Sequence, residues 1–429
     1  MNLKSKKIFR FAAALLCISL LTACTRIDDL EAEQSGAPDE STAGASAEET
    51  TASTAHEETT AGTFAEETTA STTEFSETSE EPLPEPKEKL TVRLVCAGDN
   101  LIHSPIYNQA SSRTGGNGYD FSFVYEKVTR YIQPADLAIL NQETVVTDAY
   151  PPSNFPYFCS PEALGDYMVE EAGFDAVSMS NNHVLDQGES GLISTLDYWD
   201  SRHPDIVRYG AYRSEEDMNN IRLKEVNGVT FAFLGYMEHT NGLVNPETLG
   251  TKLVYLGELD TIEKQIKLAK EMADVVIVSP HFGVEVTNIV TSQQRELSKK
   301  FVEWGADIII GTQPHTIQEC EWIEREDGSK GFVYYCLGNL VSAMNVPISM
   351  VGGIGELQIE MDPVSREITI IEPKLIPIIT HYDAGYQNVT IYPYAEYSAE
   401  LAARHGCELS MELINEVLNY IPEEFLSVE

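Results

Sequence analysis

The chain has 429 residues, and its 68 acidic and 28 basic side chains give a formal net charge of −40 at pH 7. Residues 90–429 alone hold 50 acids and 21 bases, so the negative charge is not confined to the N-terminal part. Such a balance repels nucleic acid and attracts cations, which excludes direct nucleic-acid binding and requires a metal ion to bridge any anionic substrate.

The N-terminus has the pattern of an export signal. An apolar stretch, residues 8–21, contains no acid and is too short to span a membrane comfortably. It ends in Leu21-Thr22-Ala23-Cys24, which resembles a bacterial lipobox, in which the cysteine is lipidated and becomes the first mature residue. We expect residues 1–24 to be a lipoprotein signal peptide. Membrane lipid would then hold the mature, extracytoplasmic protein through Cys24. The alternative is an ordinary cleavable signal that happens to carry a cysteine.

Residues 25–89 consist mainly of Thr, Glu, Ala and Ser, with a nine-residue repeat that begins at Ala47. They contain too few large apolar side chains to compensate the loss of chain entropy on folding. We expect a disordered, self-repelling stalk, stiffened near its end by Pro82-Leu83-Pro84-Glu85-Pro86.

From residue 90 the pattern alternates strands and helices, which is typical of an α/β architecture. Apolar runs predict strands at residues 90–97, 135–140, 174–179, 229–234, 275–279, 307–310 and 332–335. Helical spacing predicts helices at 121–132, 161–172, 191–199, 260–272 and 293–304. A hairpin is predicted between 355–361 and 368–375, followed by helices at 396–405 and 410–420. We therefore expect one domain at residues 90–380 and a C-terminal helical extension, residues 381–429, packed on it.

Strand after strand ends in a polar loop. These loops hold Asp99 and His103, then Glu143, then Asn182, His183 and Asp186, then His281 and Glu285, and finally His315. Taken singly, each residue has an ordinary explanation as a helix cap, a turn residue or a packed histidine. Ligands in α/β folds bind beyond the carboxyl ends of the strands, and these side chains offer the oxygen and nitrogen atoms that Zn, Mn and Fe accept. Five such loops in succession predict one clustered metal site.

The same loops resemble those of the CapA family, the capsule or poly-γ-glutamate synthesis proteins. The resemblance covers roughly residues 90–345 and rests on Gly98-Asp99 through His103, Asn141 to Glu143, Asn181-Asn182-His183 with Asp186 and Gly188, His281-Phe282-Gly283-Val284-Glu285, Gly311 to His315 with Gln318, and Leu337-Gly338-Asn339. The family's domain is similar to the calcineurin-like metallophosphoesterases. It implies a four-layer α-β-β-α sandwich of the metallo-dependent phosphatase type, with a metal centre at the loop end.

The resemblance also implies a role for each polar residue. Asp99 and His103 would bind a first divalent metal ion, Glu143 would bridge to a second, and the Asn182 amide would bind that second ion. His281 and His315 would be the remaining imidazole ligands. His183 would act as general acid toward a leaving oxygen, while Asp186 and Glu285 would orient the histidines. Two ions, of Mn, Zn or Fe, would clamp an anionic group and supply the nucleophile.

One position departs from the family pattern. The family usually has His-Pro-His where this chain has Gln313-Pro314-His315, so a neutral amide replaces one imidazole ligand. Weaker binding, a single metal ion or none are therefore open alternatives.

Two hypotheses of function follow. In the first, the protein belongs to the capsule or poly-γ-glutamate apparatus and hydrolyses an envelope phosphoester or polymer. In the second, it is a non-catalytic surface module that assists a membrane-bound polymer synthase. Among the cysteines, Cys320 and Cys336 flank a predicted hairpin and either pair or remain separate buried residues.

Overall fold

The computed structural model describes residues 88–242 and 248–428. The predicted signal peptide, Cys24 and all of the predicted stalk before residue 88 lie outside these residues. The described residues form two β-sheets with helices on their outer faces.

The first sheet has eight strands, in the order β14-β13-β12-β1-β2-β3-β4, with β11 paired to the end of β1. They are β1 (Leu90–Asn100), β2 (Leu137–Asn141), β3 (Ala176–Ser178), β4 (Val207–Tyr209), β11 (Asn339–Val341), β12 (Val351–Met361), β13 (Ile368–Asp383) and β14 (Gln387–Pro393). Strands β1 to β4 run parallel, so their carboxyl ends lie along one edge of the sheet.

The second sheet has six strands, in the order β5-β6-β7-β8-β10-β9. They are β5 (Arg222–Val226), β6 (Val229–Met237), β7 (Val275–His281), β8 (Ile308–Ile310), β9 (Cys320–Glu324) and β10 (Lys330–Tyr334). Strands β6, β7, β8 and β10 are parallel, and an antiparallel strand closes each side.

The α-helices are mostly short. They are α1 (Ser104–Arg113), α2 (Ser122–Tyr125), α3 (Thr129–Ile132), α4 (Glu162–Asp166), α5 (Gly188–Arg202), α6 (Glu215–Asn219), α7 (Leu259–Met272), α8 (Ser292–Trp304), α9 (Ala399–Arg404) and α10 (Met411–Leu418). Helix α4 continues as a π-helical turn, Tyr167–Glu171, and 3-10 turns lie at Pro347–Met350 and Tyr394–Glu396.

The two faces of the second sheet belong to different cores. Phe231 and Phe233 of β6 lie in a large core shared with the first sheet. Their neighbours Ala232 and Leu234 lie in a smaller core, where they pack with α7 and α8 residues such as Ile266. Because side chains alternate along a strand, a central strand such as β6 supplies both cores. The predicted α-β-β-α sandwich is confirmed.

A glycine pair allows β11 to approach the end of β1. A Cβ atom on Gly98 would collide with the carbonyl oxygen of Gly338, and Gly338 itself has a φ of +66°. The Asp99 N–H donates to that carbonyl at 2.9 Å. The close approach places Asn339 of β11 beside Asp99 of β1.

The segment after residue 380 differs from its prediction as a helical extension. Strand β13 runs on to Asp383, and residues 387–393 form β14, an edge strand of the first sheet. Val389 and Ile391 of β14 are buried at alternate positions, which explains the strand. The two predicted helices follow as the shorter α9 and α10. This segment therefore completes the first sheet as well as adding helices.

The five cysteines within the described ranges are all free and buried, so Cys320 and Cys336 do not pair. Among the described helices, none combines the length and the apolar character needed to cross a membrane.

Candidate metal centre

The predicted site residues come together where the parallel strands of both sheets end. Asp99 is the last residue but one of β1, Glu143 follows β2, Asn182 follows β3, His281 ends β7, and His315 follows β8. All five are nearly fully buried. A buried polar group requires a partner to offset its lost hydration, so the contacts of each side chain indicate its role.

Three of these residues form the first ligand group: Asp99, Glu143 and His315. One ligand atom from each lies within 4.8 Å of the others. The Nδ1 of His315 is 3.2 Å from Asp99 Oδ2, and its Nε2 is 3.7 Å from Glu143 Oε1. Ligand atoms of three residues within 4.8 Å of one another can share a cation, so the site is a candidate for a divalent metal ion.

The carboxylate of Glu143 is the clearest sign of a missing partner. Both of its oxygens are buried and neither accepts a hydrogen bond from a described residue. Burial, and then the charge of Asp99, raise the pKa of Glu143 well above its usual range. A bound cation would satisfy both oxygens and favour the ionised form, so this side chain fits a metal site.

His315 is held in the tautomer that a metal ligand needs. The Asn339 amide donates to Ser342 Oγ at 3.2 Å and to the Ser349 carbonyl at 3.1 Å, which leaves its oxygen as an acceptor. The Nδ1–H of His315 donates to that oxygen at 3.0 Å. The Nε2 atom therefore points toward Glu143, and Asn339 acts as a positioning residue that sequence reasoning did not assign.

The charge state of the metal-free centre is set mainly by Asp99 and His315. Burial lowers the pKa of His315, but the charge of Glu143 and the hydrogen bond and charge of Asp99 outweigh it and raise the pKa to about 10. Burial opposes ionisation of Asp99, but the hydrogen bond and charge of His315 lower its pKa overall. Without metal, the two form a buried ion pair.

A second ligand group consists of Glu143, Asn182 and His281. The Nε2 atom of His281 lies 3.2 Å from Asn182 Oδ1 and 3.7 Å from Glu143 Oε1. Its Nδ1 lies 2.8 Å from Thr312 Oγ1. Burial lowers the pKa of His281 to about 3, so the ring is neutral, as a metal ligand must be. Glu143 is common to both groups.

His103 lies beside the first ligand group and is not one of its three members. Its Nδ1 is 3.1 Å from the Leu101 carbonyl and 3.2 Å from the Ala343 N–H, and its ring meets Phe158 edge to face at 5.1 Å. Burial lowers the pKa of His103 to about 4, so this imidazole is also neutral.

His183 and Asp186 form a hydrogen-bonded pair. The Nδ1 of His183 lies 2.7 Å from Asp186 Oδ2, which also accepts the Phe158 N–H at 2.6 Å. Burial raises the pKa of Asp186. Because Asp186 occupies Nδ1, the Nε2 atom of His183 is the one available for proton transfer.

Phe158 is a second contributor that the sequence did not reveal. Its ring contacts His183 edge to face at 4.8 Å, in addition to His103. It belongs to the loop between β2 and α4, and no polar character marks it in the sequence.

Glu285 has a different contact from the predicted one. Its Oε1 accepts a hydrogen bond from Gln313 Nε2 at 3.4 Å, and no direct bond from Glu285 to an imidazole is present in the described residues. The Gln313 N–H donates to Asp99 Oδ2 at 3.3 Å. Glu285 thus orients the residue that replaces a histidine.

A second acidic cluster, Asp166, Glu170 and His203, is less suited to a metal. Arg202 donates to Asp166 Oδ1 at 3.1 Å, and His203 Nε2 lies 2.8 Å from the same oxygen. The protein's own arginine already compensates this carboxylate.

A family model described as "Bacterial capsule synthesis protein PGA_cap" matches residues 93–344. The capsule biosynthesis protein CapA of Bacillus anthracis is 31% identical over 264 residues, which are 59% of this chain and 60% of that protein. The PGA biosynthesis protein CapA of Bacillus subtilis (strain 168) is 32% identical over 174 residues, 41% of this chain and 44% of that protein. The chain thus spans less than two thirds of the length of these relatives.

Among solved structures, the chain matches a novel phosphatase from Mycoplasma pneumoniae with a TM-score of 0.39 and 15% identity over 68% of this chain and 95% of that one. A putative 5'-nucleotidase from Staphylococcus aureus has a TM-score of 0.40 and 14% identity over 67% of this chain and 54% of that one.

Proposed function

Because the chain belongs to the bacterial capsule synthesis family described as PGA_cap, we propose that it serves capsule or poly-γ-glutamate biosynthesis or export through a metal-dependent phosphoesterase-like centre. The proposed substrate is an envelope phosphoester or an anionic polymer. One observation carries the proposal: the Glu143 carboxylate is buried without a donor, between His281 and His315.

The residues divide the chemistry among them. A divalent cation, of Mn, Zn or Fe, would supply the positive charge that an anionic substrate needs in this acidic protein and would activate water. Asp99, Glu143, His315, Asn182 and His281 would hold it, with His103 beside them. His183 would donate the proton on its Nε2 to the leaving oxygen as the ester bond breaks, and Asp186 would stabilise the imidazolium.

The test uses the purified full chain. We expect bound transition metal by elemental analysis and hydrolysis of a phosphodiester such as bis-p-nitrophenyl phosphate after loading with Mn²⁺, Zn²⁺ or Fe²⁺. A chain that binds none of these ions and shows no hydrolysis would contradict the enzyme proposal.

The second candidate is a non-catalytic surface module that assists a membrane-bound polymer synthase. The presence of Gln313 in place of an imidazole favours it. A strain lacking the protein would lose polymer in both cases, but a metal-free variant would restore the polymer only if the module is non-catalytic. Polymer levels unchanged in the deleted strain would count against both.

We also propose attachment to the outer side of the cytoplasmic membrane through a lipid on Cys24. The sequence Leu21-Thr22-Ala23-Cys24 supports it. The variant Cys24→Ala should not incorporate labelled palmitate and should be lost from the membrane fraction. Equal membrane retention of variant and parent would refute this anchoring.

A further inference from the structure

Like the Glu143 carboxylate, the side-chain oxygen of Gln313 is buried and lacks a partner among the described residues. Gln313 is 3% exposed, and its Oε1 accepts no hydrogen bond from a described residue. The residue lies two positions before His315, and its own N–H donates to Asp99 Oδ2. A buried, unpartnered acceptor on a residue whose backbone is hydrogen-bonded to Asp99 points to a ligand outside the protein chain.

The orientation of the Gln313 amide follows from Glu285. The Nε2 group donates to the Glu285 carboxylate at 3.4 Å. Rotating the amide by 180° would place its oxygen against that carboxylate and remove the bond. The oxygen is therefore the end turned away from Glu285.

The backbone keeps this arrangement at some cost. Gln313 has a φ of +102° and His315 a φ of +56°, on either side of Pro314. Both values lie in the left-handed region that residues with a Cβ rarely adopt. The Val286 N–H donates to the Pro314 carbonyl at 2.8 Å, which helps to hold the loop. Strain of this kind persists where the surrounding structure enforces a functional geometry.

Gln318, in the same loop region, shows what a structural glutamine looks like here. It is fully buried, its Nε2 donates to the carbonyls of Thr287 and Ile289 at 3.1 Å, and its Oε1 accepts from Gln294 at 2.8 Å. The protein satisfies that amide completely. Gln265 in α7 also has a buried side-chain oxygen without a partner in the described residues, but of these two glutamines only Gln313 donates its backbone N–H to the Asp99 carboxylate.

We propose that the Gln313 side-chain oxygen is a ligand of the metal centre and shifts its preference from Zn²⁺ toward Mn²⁺. This proposal rests on the proposed function, because it requires that the centre binds metal. An amide oxygen is a harder ligand than an imidazole nitrogen, and carbonyl oxygens suit Mn²⁺ whereas imidazole suits Zn²⁺. Replacing the imidazole by the Gln313 amide then changes the metal preference of the centre. The Glu285 carboxylate polarises this amide by accepting its N–H.

The experiment measures metal binding by titration calorimetry and by Mn²⁺ paramagnetic resonance on the full chain, after removal of metal. Gln313→Ala should weaken Mn²⁺ binding by roughly 10- to 100-fold, a typical loss for groups that tune a metal site. Gln313→His should raise the affinity for Zn²⁺ relative to Mn²⁺ by a similar factor. Gln318→Ala, the matched control, should lower the melting temperature and leave the Mn²⁺ affinity within about threefold.

The outcomes separate the two proposals. If the parent chain and Gln313→Ala bind Mn²⁺ equally while Glu143→Gln loses it, Gln313 is not a ligand and the metal centre stands. If the parent chain binds no metal, the centre itself is refuted, and this inference with it. If Gln313→Ala does not fold, an unchanged Mn²⁺-to-Zn²⁺ preference in Gln313→His overturns the inference.

Discussion

Two buried carboxylates at opposite ends of the parallel strands differ in their partners. Asp307 precedes β8 and accepts hydrogen bonds from Lys270 Nζ at 2.7 Å, Arg325 Nη2 at 3.0 Å and the Val276 N–H at 2.8 Å. Glu143, beyond the carboxyl end of β2, accepts none from the described residues.

The difference teaches how to tell a structural acid from a functional one. Where a carboxylate only supports the fold, the chain supplies its own cations, because an unpaired buried charge is costly. Around Glu143 the neighbours are Asp99 and two imidazoles, His281 and His315. That environment is suited to a cation from solution.

Exchanging each carboxylate for an amide should separate the two roles most strongly. Glu143→Gln should abolish hydrolysis and weaken metal binding more than about 100-fold, with a melting temperature in chelator no lower than the parent's. Asp307→Asn should instead destabilise the fold by about 2–4 kcal/mol, since it leaves Arg325 and Lys270 without their anion. Calorimetric titration and denaturant unfolding would measure both.

The distinction between a structural Asp307 and a metal-binding Glu143 would be wrong if the two variants behave alike. A Glu143→Gln chain that unfolds as easily as Asp307→Asn, or an Asp307→Asn chain that loses metal, would show that position in the fold does not separate the roles.

Removing the proton donor should leave metal binding unchanged. His183→Ala should lower kcat by about 10²–10⁴-fold, a typical contribution of general acid catalysis. The loss should be smaller for p-nitrophenyl esters, whose leaving group needs no proton, than for alkyl esters. Elemental analysis should show the parent's metal content, and equal losses on both esters would argue against proton donation.

Metal binding should depend on pH through His315 and Glu143. The pKa of His315 is raised to about 10, so its imidazole holds the extra proton near neutral pH when no metal is bound, whereas metal ligation requires a neutral imidazole. Binding should therefore release a proton from His315 and tighten as pH rises, and the raised pKa of Glu143 acts in the same direction. Calorimetry in buffers of different ionisation enthalpy measures the release, and none at pH 7 would contradict these charge states.

The raised pKa values of His315 and Glu143 also determine whether the stability of the metal-free protein rises or falls with pH. His315 gains a proton-linked stabilisation that is complete below its unfolded pKa of about 6.5 and is lost as pH rises through about 10. Glu143 acts in the same direction, because folding favours its protonated form. Metal-free protein should lose stability toward alkaline pH, and metal-loaded protein much less.

The smallest effect is expected at Phe158, which is not charged but contacts two of the histidines. Phe158→Leu should cost about 1 kcal/mol of stability and keep the N–H that holds Asp186. A fewfold loss of kcat with unchanged metal affinity would assign the ring to positioning His183. Loss of metal affinity would instead indicate that the Phe158 ring positions His103.

Much of this arrangement could be predicted from the sequence. Strands β1, β2, β7 and β8 are apolar runs, and the site residues Asp99, Glu143, His281 and His315 lie at or shortly after their carboxyl ends. The apolar runs therefore indicate both the strands and the edge of the sheets where the loops meet. The α-β-β-α sandwich and the family could be predicted only because those loops resemble the loops of the CapA family.

Other features could not be predicted because they depend on partners distant in the sequence. Phe158 reaches His103 across 55 positions, and no local pattern marks it. Strand β14 is an edge strand with only two apolar aliphatic side chains, Val389 and Ile391, and its first two residues are exposed. The contact of Glu285 with Gln313 arises only once two loops fold against each other.

The contact between Gly98 and Gly338 gives a criterion for sorting relatives of this protein. It is a steric requirement of the backbone and does not depend on chemistry, because any side chain on Gly98 would collide with the crossing strand. A related protein that lacks Glu143 and its metal would therefore still need both glycines to keep the backbone of β1 and β11 in contact. Glycines without the glutamate would mark an inherited scaffold put to another use, whereas loss of the glycines would mark a different fold at this edge.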